Sequence, residues 1–314
     1  MEPTADQIID AHKRILPFIN RTPVLINNTI NELTECKVFF KCENFQKIGA
    51  FKFRGALNAI MQLPKSQAKN GVATHSSGNH AQGLALAAKI NQLKAHIVMP
   101  ENAPKVKVNA VRSYGAEIYF CASNIQARAE KLKEVQDNTG ATMVHPFDND
   151  HVIAGQATVG KEIFEACSLL EAIIAPVGGG GLLSGTALSA HYFSPETKVY
   201  AGEPMGANDA YKSFHAGEII PVEKPDTIAD GLLTTVSERT FRIISNHVQD
   251  IITVSDKEII DSMKLVWERM KIIIEPSAAV PLAALFKRKE FFKGKSLAII
   301  LSGGNVDLGN LPFV

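Results

Sequence analysis

Cysteine is scarce in this chain of 314 residues, with only four. Cys36, Cys42, Cys121 and Cys167 lie far apart, with no CxxC pair and no histidine at metal-ligand spacing. That argues against a disulfide scaffold and a thiolate metal centre, and the four read as reduced, mostly buried apolar side chains of a cytoplasmic protein. An excess of one charge sign is also missing. Lys and Arg total 33 against 32 Asp and Glu, a net of +1, and no basic stripe or acidic block occurs. Neither nucleic acid nor a membrane surface is therefore an expected partner. Long hydrophobic runs are absent too, since the most apolar late stretch, residues 272–286, is broken by Glu275, Pro276 and Pro281. The start, Met1 to Asp6, has neither the basic head nor the apolar centre of a signal peptide. What remains is a protein acting on a small molecule.

The composition, 46% hydrophobic and 21% charged, can bury the cores of two domains. Short apolar runs over 38–42, 72–75, 96–99, 117–120, 173–177, 198–202, 251–254 and 297–301 read as strands. Helical patterns such as 79–90, 125–138, 182–193, 256–270 and 278–286 alternate with them. This alternation predicts an α/β fold of open, largely parallel sheets. The polar stretch 64–71 and the loop 145–150 read as hinges, which predicts a large domain of residues 1–64 and 150–314 and a small inserted domain of 71–148. Chemistry is expected in the cleft between them.

Four loops carry the chemical signal. Gly178-Gly179-Gly180-Gly181 follows a strand and opens a helix, a place where free backbone N–H groups and the helix N-terminus suit a phosphate. A dinucleotide reading fails because no Gly-x-Gly-x-x-Gly register fits, although Glu203 ends the next strand near the spacing of a ribose-binding acid. Lys52 lies between Phe51 and Phe53, bounded by Gly49 and Gly55. An apolar setting lowers an ammonium pKa and frees the amine for attack on a carbonyl or for proton transfer, making Lys52 a Schiff-base candidate. Ser76-Ser77-Gly78-Asn79-His80 precedes an alanine-rich helix and suits a carboxylate, or caps that helix and nothing more. Ser302-Gly303-Gly304-Asn305 ends the last strand at the same predicted sheet edge.

With these motifs in order, the chain resembles the fold-type II pyridoxal-phosphate enzymes, in the branch of serine racemases and threonine/serine dehydratases. The resemblance runs through Arg21-Thr22-Pro23-Val24, Lys41-Cys42-Glu43-Asn44-Phe45-Gln46, Val152-Ile153-Ala154-Gly155-Gln156, Ile228-Ala229-Asp230-Gly231 and Ile274-Glu275-Pro276. It implies two tryptophan-synthase-β-like open-sheet domains with pyridoxal 5'-phosphate between them, and a homodimer. It implies further that Lys52 bonds the cofactor and acts as base on one face of Cα, with Phe51 and Asn79 against the ring. Gly178, Gly179, Gly180, Gly181 and Leu182 would hold the phosphate, and Ser302 would meet the ring nitrogen. Ser76, Ser77, Asn79 and His80 would take the substrate carboxylate, with Arg128 helping to close the cleft.

Ser77 stands where many threonine dehydratases have alanine and where racemases place the second proton donor. Glu203, Ala207 and Asp209 match a racemase loop whose two carboxylates and alanine carbonyl hold Mg2+, Ca2+ or Mn2+, as hard oxygen ligands would. Two positions depart from mammalian racemases: Phe147 replaces an asparagine, and nucleotide-contacting positions such as Lys47 beside Ile48 are only partly kept, so no nucleotide activation follows. The implied reaction is racemisation of serine, or loss of water and ammonia from serine and threonine. The alternative is a threonine dehydratase or 3-hydroxyaspartate ammonia-lyase without racemase activity. No regulatory domain is expected beyond the last strand.

Overall fold

The computed structural model describes residues 2–313, apart from Ser77, Pro104 and the side chain of Ile125. Its strands, in chain order, are β1 Val24–Leu25, β2 Lys37–Cys42, β3 Val72–His75, β4 Ala95–Pro100, β5 Glu117–Cys121, β6 Thr142–Met143, β7 Ala172–Pro176, β8 Lys198–Pro204, β9 Asp250–Val254 and β10 Ser296–Leu301. They form two sheets. The first has the order β1-β2-β10-β7-β8-β9, the second β5-β4-β3-β6. Apart from the antiparallel β1–β2 pair, every pairing is parallel, as helical crossovers between consecutive strands require. The fold is α/β with two open sheets.

The eight strands legible in the sequence all form, within a residue or two of their expected ends. β1 and β6 were not anticipated, because two residues cannot display an alternating pattern. Helices Ala5–Ile15, Lys52–Met61 and Asp150–Ala166 were not anticipated either. The last two are buried along most of their length, so they lack the polar stripe that marks an amphipathic helix.

The six-stranded sheet is covered on both faces. Helices Asp256–Met270 and Pro276–Lys287 supply Met263, Val266, Val280 and Leu282 to one core. Helices Asp150–Ala166 and Gly181–Phe193 supply Val159, Ile163, Leu183 and Ala187 to the other. Helix Lys52–Met61 packs in a further core with residues of the second sheet and its helices, among them Ala81, Leu84 and Ile97. It also crosses helix Asp150–Ala166 so closely that a Cβ on Gly155 would lie 2.6 Å from the Gly55 Cα.

A buried ionic cluster anchors this helix to β2. Arg54 binds Glu43 through Nε and Nη2, both at 2.8 Å, and Glu162 through Nη1 at 2.8 Å. Lys41 Nζ reaches Glu162 Oε2 at 2.6 Å. Burial pushes the Glu162 carboxyl up, but hydrogen bonds from His12 and Arg54 and the charges of Arg54 and Lys41 outweigh it and hold the group below the ordinary carboxylate range.

Candidate active site

β2, β10 and β7 are neighbours and parallel, so the loops leaving their carboxyl ends meet at one sheet edge. These loops lead to Lys52, begin at Ser302 and contain the four glycines. Ala50 bridges Gly303, the Phe51 N–H donates to the Ser302 carbonyl at 3.0 Å, and the Gly304 N–H donates to the Gly49 carbonyl at 2.9 Å. Lys52 is thereby fixed at the first turn of its helix. Gly83 lets helix Asn79–Ile90 approach from the other sheet, since a Cβ there would lie 3.2 Å from the Lys52 backbone. The half-buried Lys52 donates from Nζ to the Pro146 carbonyl at 3.2 Å, with the Phe51 ring centroid 5.2 Å away. Burial lowers its amine pKa from 10.5 to about 8, against the opposing pull of the Glu275 carboxylate.

Residues 178–182 are all buried, and among the described residues none of their backbone N–H groups finds an acceptor in a neighbouring loop or side chain. Buried N–H groups without a partner are costly, which suits them to an anion. Gly180 needs its φ of +86°, and its neighbours need the absence of Cβ. One on Gly179 would meet the Phe147 ring at 2.3 Å, and one on Gly180 the Thr240 Cβ at 2.8 Å. Thr240 donates from Oγ1 to the Gly179 carbonyl at 2.9 Å. Leu182 is buried just inside the helix that follows.

Across the cleft, Ser76 follows β3, and its Oγ accepts from the Gly78 N–H at 3.3 Å. Asn79 opens helix Asn79–Ile90 and donates from Nδ2 to both Glu275 oxygens, at 2.8 and 3.1 Å, while Asn305 Nδ2 donates to the Asn79 side-chain Oδ1 at 2.8 Å. Burial, then the charge of Asp230, raises Glu275 to about 7. His80 is buried with Nε2 3.0 Å from the Val144 carbonyl and Nδ1 without a partner among the described residues. Burial and the nearby Lys52 charge push its pKa down to about 3, so it is neutral. Arg128 is half-buried beside His75, whose pKa is lowered by burial and by that guanidinium, and the Arg128 Nε is unpartnered among the described residues. Ser77 lies outside the described residues.

The profile of the family described as pyridoxal-phosphate dependent enzyme matches residues 15–303. The chain belongs to that family. It is 51% identical to a serine racemase of Dictyostelium discoideum, over 99% of this chain and 98% of the relative. It is 49% identical to a beta-hydroxyaspartate dehydratase of Paracoccus denitrificans, over 99% of both. The structure of maize serine racemase superposes with a TM-score of 0.96 at 44% identity, covering 98% of this chain and 95% of that one. The fold is accordingly that of fold-type II pyridoxal-phosphate enzymes.

In this pyridoxal-phosphate enzyme the segment suggested for a metal runs from the last residues of β8, where Glu203 sits, to Asp209 at the start of the next helix. Glu203 and Asp209 are buried, and among the described residues neither makes a salt bridge. Glu203 accepts from the N–H groups of Ala210 and Tyr211 at 2.9 and 2.8 Å, and Asp209 accepts from the Val236 N–H at 3.1 Å. Burial raises Glu203 to about 9 and Asp209 to about 6. Ala207 is buried in the turn between them. The Lys212 charge opposes the shift at both carboxyls without cancelling the cost of burial. No group of three or more His, Cys, Asp or Glu side chains gathers among the described residues.

Sequence reasoning assigned no role to Glu275, Asn305, Pro146 or Thr240. Glu275 had left a signal, as the one acid in the most apolar stretch of the chain. The Pro146 carbonyl and the Thr240 hydroxyl had left none, because their partners are more than 60 residues away.

Proposed function

We propose that this enzyme removes the Cα proton of serine, and of threonine, with Lys52 as the base, and then either returns a proton from Ser77 on the opposite face or expels the β-hydroxyl as water. Proton return gives D-serine, and elimination gives pyruvate or 2-oxobutanoate with ammonia. The observation that carries this reading is the Lys52 amine, with its pKa lowered to about 8, at the same sheet edge as a loop of unpartnered backbone N–H groups. Bound pyridoxal phosphate supplies an electron sink that acidifies the Cα proton of an amino acid. Residues 178–182 would hold its phosphate, Phe51 and Asn79 would flank its ring, and the neutral Ser302 hydroxyl would face the ring nitrogen. Ser76, Asn79 and the start of helix Asn79–Ile90 would receive the substrate carboxylate beside neutral His80.

A second reading, ammonia loss from 3-hydroxyaspartate, is favoured by one observation. The Arg128 guanidinium is near enough to His75 to depress its pKa further than burial alone does, and its buried Nε has no partner among the described residues, which suits a second carboxylate. The family likeness and the buried carboxylates support Mg2+, Ca2+ or Mn2+ held by Glu203, Ala207 and Asp209. Separate sheets support a large domain of 1–64 and 150–314 and a small one of 71–148. Family likeness supports a homodimer, and four buried free cysteines fit a cytoplasmic location.

The test is to incubate L-serine, L-threonine and 3-hydroxyaspartate with the holoenzyme and to quantify keto acids and D-isomers. Ser77→Ala should abolish D-serine formation while L-serine elimination largely survives. Unchanged interconversion of the enantiomers in that variant refutes the two-face assignment.

A further inference from the structure

Helix Glu238–His247 touches the cofactor loop and the Lys52 side of the cleft through two consecutive residues. Thr240 holds the Gly179 carbonyl. Arg239, one residue earlier, reaches the turn 145–150, where Nε binds Asp148 Oδ1 at 2.8 Å and Nη1 binds Asp150. That turn is drawn tight by the Asp148 N–H donating to His145 Nδ1 at 2.8 Å and by the Asn149 N–H donating to the Phe147 carbonyl at 3.0 Å. Between its ends lie the two contacts that matter. The Pro146 carbonyl accepts from Lys52 Nζ, and the Phe147 ring packs on the face of Gly179.

We propose that Arg239 is a positioning residue of this enzyme, clamping the 145–150 turn so that one helical turn sets both the glycine loop and the acceptor of the Lys52 amine. A guanidinium is suited to this because its planar fork spans two carboxylates in a fixed geometry, which an ammonium cannot do. The role is not one of stability. Its side chain is 31% exposed and those of Asp148 and Asp150 are 38% and 41% exposed, and ion pairs so open to water add little to folding. Their effect is to hold the turn in register with the glycine loop, against which Phe147 packs. The proposal rests on the assignment of Lys52 and residues 178–182 to the cofactor.

The experiment compares wild type, Arg239→Gln, Arg239→Lys, the double variant Asp148→Asn/Asp150→Asn and the triple variant that adds Arg239→Gln to that pair. Each is stripped of cofactor and titrated with pyridoxal phosphate by fluorescence, its visible absorbance is followed against pH, and the apoprotein is melted. Arg239→Gln should weaken cofactor binding on the order of tenfold, the scale on which outer partners of a binding group act. It should also shift the pH midpoint of the visible band while the apoprotein melts as wild type does. Arg239→Lys should recover part of the loss, and adding the double aspartate change to Arg239→Gln should cost nothing more, because the same contact is already gone. Wild-type cofactor affinity and an unmoved band in Arg239→Gln overturn the clamp, as does a loss confined to the melting temperature. Borohydride labelling of the wild type separates the two ideas. If label does not fall on Lys52, the cofactor assignment itself fails. If it does and Arg239→Gln is silent, only the clamp fails.

Discussion

At the scale of single residues, the decisive fact is that the Lys52 amine is held neutral more readily than an ordinary lysine. Its pKa falls from 10.5 to about 8 because burial penalises the ammonium more than Glu275 supports it. The unfolded chain therefore binds more protons than the native one between these values, and this group's contribution to stability rises with pH from about 8 through 10.5. For chemistry the consequence is larger. Free amine is what attacks an aldehyde, so the rate at which apoprotein recombines with pyridoxal phosphate should climb with a midpoint near pH 8. A midpoint near 10.5 in stopped-flow absorbance would show that the amine is solvated. Lys52 was legible because two phenylalanines and two glycines surround it in sequence. Glu275 stood out as an acid in an apolar stretch, but its part in opposing the shift was not legible, since it lies 223 positions away and reaches the site through Asn79, Asn305 and the Gly303 carbonyl.

At the scale of elements, the helices that carry the site meet through glycine. Gly155 faces Gly55 where helix Asp150–Ala166 crosses helix Lys52–Met61, and the nearest atoms to an added Cβ are backbone, which cannot swing aside. Gly155→Ala should destabilise the protein by about 1–3 kcal/mol, the cost of overpacking a close-packed interface, read as a lower denaturant midpoint with unchanged slope. An unshifted midpoint would mean that the two helices can separate without loss. Strand-ending loops were readable because each follows a short apolar run and two open helices. The helices at this crossing were not, because burial on all sides erases the polar stripe that distinguishes a helix in sequence.

At the scale of the whole molecule, two sheets place their loops on opposite sides of one cleft, and the proposed cation loop leaves the larger sheet beside the glycine loop, because β8 is the parallel neighbour of β7. A ligand that binds only the folded state raises its stability, so Mg2+ should raise the melting temperature of the EDTA-treated protein, and Glu203→Gln should remove the response. Identical melting curves with and without the ion would dismiss the metal. The sequence by itself determined the α/β class, eight of the strands and the identity of the lysine and glycine motifs, because these follow from local periodicity and from short runs of residues with distinctive chemistry. Only the tertiary structure decided which carbonyl the lysine faces, which acid shares its field and which arginine grips the turn beside it. Those contacts join residues 94, 223 and 91 positions apart in pairs such as Lys52–Pro146 and Arg239–Asp148, and a sequence pattern records neighbours along the chain, not across it.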